Sequence, residues 1–322
     1  MAMRANKVDD EDATGVGWTH LTWNPWQGCD HVSPGCDLCY MYTEKRRYGQ
    51  DPTRVVRSAK TTFEKPFAWA RKYPEGRMVF TCSWSDFFHA DADPWRDEAW
   101  SIMRATPHIY QIVTKRIARV PRCLPSDWGD GYPNVAIGVS AEDQSWAERR
   151  VPLLLNPKLR VRWRFVSYEP ALGPIDFTRI KDKNAIVRAV GAEFYDALAG
   201  ASCWKEDRSI YIPDGPVLSW LIFGGESGNK KRVASDHRWT RDSSKTPRAK
   251  DGFARSCDMA WGRDLKRQAE PNGTALFFKQ TGSDPEDSGG LLQIRSRKGD
   301  TLLDLPEDLR VQQWPAGMNP VA

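Results

Sequence analysis

The chain has 322 residues, enough to bury a sizeable core as one large domain or two small ones. A hydrophobic share of 40% with mixed charge fits an ordered globular protein and excludes a disordered one. No apolar run approaches the roughly 20 residues that span a bilayer, and residues 1–17, a polar N-terminal tail, hold no signal-peptide core. These features point to a cytoplasmic protein without membrane contact, in which seven cysteines are not expected to build a disulfide framework.

From residue 18 onward, strands and helices alternate. A short first strand falls at His20–Trp23. Next comes GCDHVSPGCDLCY, in which Cys29, Cys36 and Cys39 follow the spacing Cys-x6-Cys-x2-Cys. Two glycines and a proline make this a tight loop, able to turn three thiolates toward one place. Phe63–Tyr73 has helical periodicity, interrupted near its start by Pro66. Strands are predicted at Met78–Cys82, Ile109–Val113, Val135–Val139, Val161–Val166, Val217–Phe223 and Ala275–Phe278. These continuous apolar runs suit strands buried on both faces of a parallel sheet.

Between the first two of these runs, Asp93 is placed to cap a helix with Pro94 at its first position; Trp95, Ala99, Ile102 and Met103 recur at helical spacing. Glu142–Leu155 gives another amphipathic stretch. Residues 176–214 lack a clean pattern and read as an insertion, and residues 281–322 as a polar, peripheral C-terminal extension. The order predicts an α/β fold with right-handed crossovers and a parallel sheet, either a barrel or a doubly wound layer.

Segment 229–268 stands apart by charge. Between Lys230 and Gln268 there are twelve Lys and Arg against five Asp and Glu. It reads as a basic surface loop, either solvated or in contact with a polyanion. The fifteen tryptophans line a core or pocket, or stack on bases; their spacing forms no stripe that decides between these.

Ligands of such folds bind at the carboxyl ends of the strands. Just past the predicted strands stand Ser83, Ser85 and Asp86; Lys115 and Arg116; Ser140 and Glu142; Ser167 and Glu169; Gly224, Gly225 and Glu226; and Lys279. They describe the mouth of an active site. Three thiolates are one ligand short of a structural zinc site, which His31 would complete. A [4Fe–4S] cluster usually takes four cysteines, and three leave one iron open to an outside ligand. Cys82, Cys123, Cys203 and Cys257 are isolated in sequence and read as ordinary core or surface thiols. With no fourth cysteine near the loop, a cluster used only for electron transfer is disfavoured.

The motifs TWNPWQGCDHVSPGCDLCY, SWSDFFH, IVTKR, GVSAEDQSWAERR, FVSYEP, FGGESG and FFKQ, in that order between Trp18 and Gln280, resemble those of a phage- and prophage-encoded three-cysteine family. That family looks like a divergent branch of the radical S-adenosylmethionine superfamily. The resemblance implies a partial parallel (βα)-type barrel of about six units over residues 18–280, with the cysteine loop after the first strand. Cys29, Cys36 and Cys39 would hold a [4Fe–4S] cluster, and the open iron would take the amino and carboxylate groups of S-adenosylmethionine. Reductive cleavage then yields a 5′-deoxyadenosyl radical. The superfamily's usual loop is Cys-x3-Cys-x2-Cys, so the six-residue gap is a departure.

The resemblance also implies roles at matching positions. Leu38 would pack near the adenine. Ser83, Ser85 and Asp86 replace a Gly-Gly-Glu-like turn that binds the methionine amino group. Ser140, Glu142, Ser167 and Glu169 would face ribose and carboxylate, and Gly224 and Gly225 would let a ligand approach the backbone. Lys115 and Glu226 are the candidate catalytic groups. Three plainer readings stay open: a turn for the glycines, a salt bridge to Arg149 or Arg150 for the glutamates, and a pairing of Lys115 with one of those glutamates. An external electron donor and a DNA or nucleotide substrate are the implied partners. Two alternatives remain: a non-catalytic zinc-binding module that recognises nucleic acid, and a Mg²⁺-dependent nuclease using Asp86, Glu142 and Glu169.

Overall fold

The structure is a computed structural model and describes residues 12–189, 191–203, 215–228 and 253–321. Seven strands form its main sheet: β1 (Leu21–Trp23), β2 (Met78–Thr81), β3 (Ile109–Thr114), β4 (Val135–Ser140), β5 (Trp163–Tyr168), β6 (Trp220–Gly224) and β7 (Ala275–Gln280). All pairings are parallel, and spatial order equals chain order. A doubly wound sheet reverses its order at a switch point; this one does not. It is a half-barrel of seven strands, one more than the six units expected, with β1 and β7 as its edges. The weak first strand is therefore a full member. β5 starts two residues later than predicted because Arg164 turns back onto the carbonyls of Leu159 and Val161, at 2.6 and 3.1 Å.

The main helices are α1 (Tyr40–Arg47), α2 (Lys65–Lys72), α3 (Asp93–Ala105), α4 (Gln144–Leu154) and α5 (Met259–Ala269). A separate turn, Lys60–Phe63, precedes α2, matching the break expected at Pro66. Asp93 is the first residue of α3 and not its cap; its carboxylate instead pairs with Arg96 and Arg119, at 2.5 and 2.7 Å. Asp143 caps α4 by accepting from the Trp146 N–H at 3.0 Å. The predicted insertion contains a small antiparallel sheet of Ile180–Lys181, Phe194–Asp196 and Ala201–Cys203.

Helix α5 corrects the reading of 229–268 as one basic loop. Met259, Gly262, Leu265 and Ala269 recur at helical spacing and are buried, while Arg263, Lys266 and Arg267 pair with nearby carboxylates. Residues 229–252 of that segment lie outside the described residues.

Alternation along the strands divides the apolar residues between two cores. Val79, Ile112, Ile137, Val166, Phe223 and Phe278 pack outward with the helices. Met78, Ile109, Ala136, Phe165, Ile222 and Phe277 point into the half-barrel, where Trp18 and Met318 join them. The C-terminal extension is thus not peripheral. It runs antiparallel along the free edge of β7, through Phe278 N–H to Val311 (2.9 Å) and Gln313 N–H to Leu276 (2.7 Å). The Trp314 indole N–H then donates to the Trp18 carbonyl at 3.0 Å, and the extension seals the floor of the half-barrel.

Met318 is fully buried in that floor. Met318→Ala is expected to cost about 2–4 kcal/mol in urea unfolding, the range for emptying a core position. A change within about 0.5 kcal/mol, as at an ordinary surface site, would contradict the seal.

Candidate functional site

A cavity of about 1210 Å³ opens at the carboxyl ends of the strands. The inward-facing residues explain why it lies at that end. Going up β5 they read Trp163, Phe165, Ser167 and then Glu169; up β4, Ala136, Gly138 and Ser140. Bulky apolar groups fill the floor, and small or polar ones leave the space above it. Trp18, Phe80 and Val113 line the cavity below; Asp86, Lys115, Ser140, Ser167, Glu169, Glu226 and Lys279 line it around the strand ends. Cys29, Cys36, Leu38 and Cys39 border the same cavity.

The cysteine loop has almost no regular structure, so other parts of the chain must hold its polar backbone. At its start, Gly28 has φ 101° and lies so close to the Arg54 carbonyl that no side chain fits. Its N–H donates to the Trp84 carbonyl at 2.9 Å, and its own carbonyl accepts from the Ser85 hydroxyl at 2.6 Å. The Tyr42 hydroxyl donates to the Cys29 carbonyl at 2.5 Å, and that of Tyr40 to the Ser83 carbonyl at 2.6 Å. Asp30 meets His89 Nε2 at 2.9 Å.

Two buried carboxylates hold the middle of the loop. The Ser33 hydroxyl donates to Glu142, and Gly35 packs so tightly on this glutamate that a Cβ would fall 2.6 Å from its oxygen. Arg255 donates to the Pro34 carbonyl at 2.8 Å and meets Asp37 at 3.1 Å. Both its backbone N–H and its Nε donate to one Glu226 oxygen, at 2.9 and 2.8 Å. His31 Nε2 bonds Asp37 at 2.6 Å, which engages that ring nitrogen within the loop itself.

Several expected roles change accordingly. Glu142 does not reach the cavity; it is fully buried beneath the loop, paired with Lys115 and with Arg150 at 2.9 Å. Burial alone would raise its pKa, but the charges of Lys115 and Arg150 and the hydrogen bonds from Lys115 and Ser33 outweigh this and bring it down to about 2. Lys115 reaches the cavity wall while committed to that pair. Glu226 is committed to Arg255 in the same way.

Ser83 and Ser85 brace Asn24 and Gly28. Asp86 fixes the turn after β3 by accepting from the Thr114 hydroxyl (2.7 Å) and the Lys115 N–H (2.9 Å). Gly224 and Gly225 do allow close approach, but by protein: Gly224 faces Glu169 and Gln280, and Gly225 faces Thr281 and Cys257. Glu169 stays at the cavity wall, paired with Lys279. Each carboxylate of the magnesium alternative therefore already has partners within the protein.

Burial raises the Cys29 thiol to about 12, with Asp86 and Cys36 pushing the same way and Arg116 opposing. Cys39 is raised as well, again chiefly by burial. Cys82 adds what sequence distance concealed. It lies on the cavity wall with φ 65°, buried, as an electrostatic neighbour of Cys29. Arg255, Ser33 and Tyr42 carry no sequence signal either, because nothing local marks a residue whose partner lies over a hundred positions away or in an irregular loop. Arg297, Lys298 and Asp300 of the C-terminal extension reach the cavity too.

Among the described residues, no group of three or more His, Cys, Asp or Glu side chains is gathered closely enough to hold one metal ion. The donor set itself suits an iron–sulfur cluster: three thiols, on one loop, around one cavity. Among the described residues no helix is long and apolar enough to cross a membrane.

Fold and site together define an α/β half-barrel with a cysteine loop fastened over a cavity at its strand ends. The chain belongs to a family of proteins of unknown function, DUF5131, which matches residues 13–253. No curated protein and no solved structure matches the chain.

Glu142→Gln removes the ion-pair partner of both Lys115 and Arg150 and is expected to cost about 3 kcal/mol at neutral pH. The folded-state pKa lies below that of the unfolded chain, so the stabilisation is complete above about pH 4.5 and is lost as pH falls toward about 2. Chemical denaturation of both proteins across that window should show the gap narrowing. A gap independent of pH would contradict the ion-pair account.

Proposed function

We propose that this protein is a radical S-adenosylmethionine enzyme with Cys29, Cys36 and Cys39 as ligands of a [4Fe–4S] cluster. One observation carries the reading: three thiols on a single loop border a large cavity whose opposite walls are polar strand ends. Three protein ligands leave one iron for the amino and carboxylate groups of S-adenosylmethionine, and the bound pair would supply a deoxyadenosyl radical for hydrogen abstraction.

The chain's own residues have distinct tasks under this reading. The hydroxyls of Ser140 and Ser167 border the cavity and have no partner among the described residues, so they are open to a cofactor's hydroxyl or carboxylate groups. The Glu169–Lys279 pair offers both signs of charge beside them. Leu38 supplies an apolar wall next to the third cysteine. Trp18, Phe80 and Val113 close the floor against water, which a reactive intermediate requires. Lys115 and Glu226 act by holding neighbouring groups, and both also border the cavity. The basic segment and the resemblance to phage proteins favour a nucleobase or base adduct in DNA as substrate, rearranged or modified by isomerase, transferase or lyase chemistry. An outside donor delivers the electron.

Anaerobic reconstitution with iron and sulfide, then reduction with S-adenosylmethionine, is expected to yield 5′-deoxyadenosine by chromatography. Cys36→Ala should abolish it. Uptake of a single zinc with no deoxyadenosine would replace this reading with the zinc-module alternative. For the substrate, DNA binding should weaken steeply with salt; no affinity at low salt would remove DNA from the proposal.

A further inference from the structure

We infer that Arg116 tunes the reduction potential of the cluster through the sulfur of Cys29; the inference rests on the three-thiol reading above. The turn that carries Arg116 is fixed by its own backbone. The Arg116 N–H donates to the Thr114 hydroxyl at 2.8 Å, and that hydroxyl donates to Asp86 at 2.7 Å. From this base, Arg116 Nη2 reaches the Cys29 sulfur at 3.9 Å and the Asp30 carbonyl at 3.3 Å. Among the described residues, no side-chain cation donates to the sulfur of Cys36 or Cys39. Lys115 acts on Cys39 and Arg150 on Cys36 only through longer-range charge, so the contact with Arg116 sets Cys29 apart as the thiol with a direct cationic donor.

Reduction adds negative charge to a cluster and its thiolates. A cation and an N–H donor at one sulfur favour the reduced state and raise the potential. The Arg116 side chain is 19% exposed, so water screens its charge only partly. Asp30 and Asp86 face it at 3.8 and 4.0 Å and offset part of its charge without removing the donor. His89, bonded to the Asp30 carboxylate, keeps that side chain in place. Asp30, which directly follows Cys29, is the residue through which Arg116 and His89 both grip the loop. Arg116 is a positioning and tuning residue, not a catalytic one.

The test uses reconstituted holoprotein, with iron and sulfide per chain measured first and the potential read by a redox titration monitored by electron paramagnetic resonance. Arg116→Gln is expected to shift the midpoint to lower potential than wild type, and Arg116→Lys to fall between them. Arg149→Gln, which removes an exposed charge from α4, should leave the midpoint unchanged. If Arg116→Gln fails to take up iron, the lysine variant makes the same comparison. Equal midpoints in loaded wild type and both Arg116 variants would overturn the role of Arg116 while leaving the cluster intact. A wild-type chain that takes up no cluster would overturn both.

Discussion

Two buried carboxylates, Glu142 and Glu226, hold the cysteine loop over the mouth of the half-barrel, and the placement of the three thiols depends on them. A loop with almost no secondary structure presents backbone groups that must find partners. Here Ser33, Pro34 and Asp37 are met by one network through Glu142 and another through Arg255 and Glu226. Isolated charges in such positions would be prohibitively desolvated, so each carboxylate comes with its cations. Removing one partner strands the others.

The same arrangement ties the loop to the sheet. Lys115 follows β3, Glu142 follows β4, Glu169 follows β5, Glu226 follows β6 and Lys279 belongs to β7. Lys115–Glu142 joins the neighbouring ends of β3 and β4, Glu169–Lys279 reaches from β5 to β7 past β6, and Glu226 ties β6 to the loop through Arg255 and Asp37. The half-barrel does not close on itself; these contacts brace it at the top, while the C-terminal extension covers the β7 edge and fills the bottom. The cavity between them is open at the strand ends and apolar at the floor.

Much of this architecture can be read from the chain. All six apolar runs and the weaker first strand are in the sheet, because strands buried on both faces carry a local signal. Helices α3 and α4 follow from periodicity within about two residues. The cavity wall is legible wherever a strand ends in a polar residue that points inward, as with Ser140, Ser167 and Glu169. What escapes is the choice between ligand and brace. Glu142 follows the same strand–polar pattern as Glu169, yet it is buried beneath the loop while Glu169 faces the cavity. That difference arises from Gly35 and Ser33, more than a hundred residues earlier. Arg255 is hidden in a basic run, and the C-terminal extension is irregular backbone, which leaves no period to detect. Cys82 is brought beside Cys29 by the pairing of β1 with β2.

The central claim is that the three thiols hold a cluster with one iron left open. The most direct measurement is the electron paramagnetic resonance spectrum of the reduced, reconstituted protein with and without S-adenosylmethionine. The account predicts a [4Fe–4S] signal that changes shape and position when the cofactor is added, reporting a ligand at the open iron. A cluster spectrum indifferent to the cofactor would show that the cofactor does not reach an open iron, as when a fourth ligand such as Cys82 on the same cavity wall fills it, and would contradict the claim.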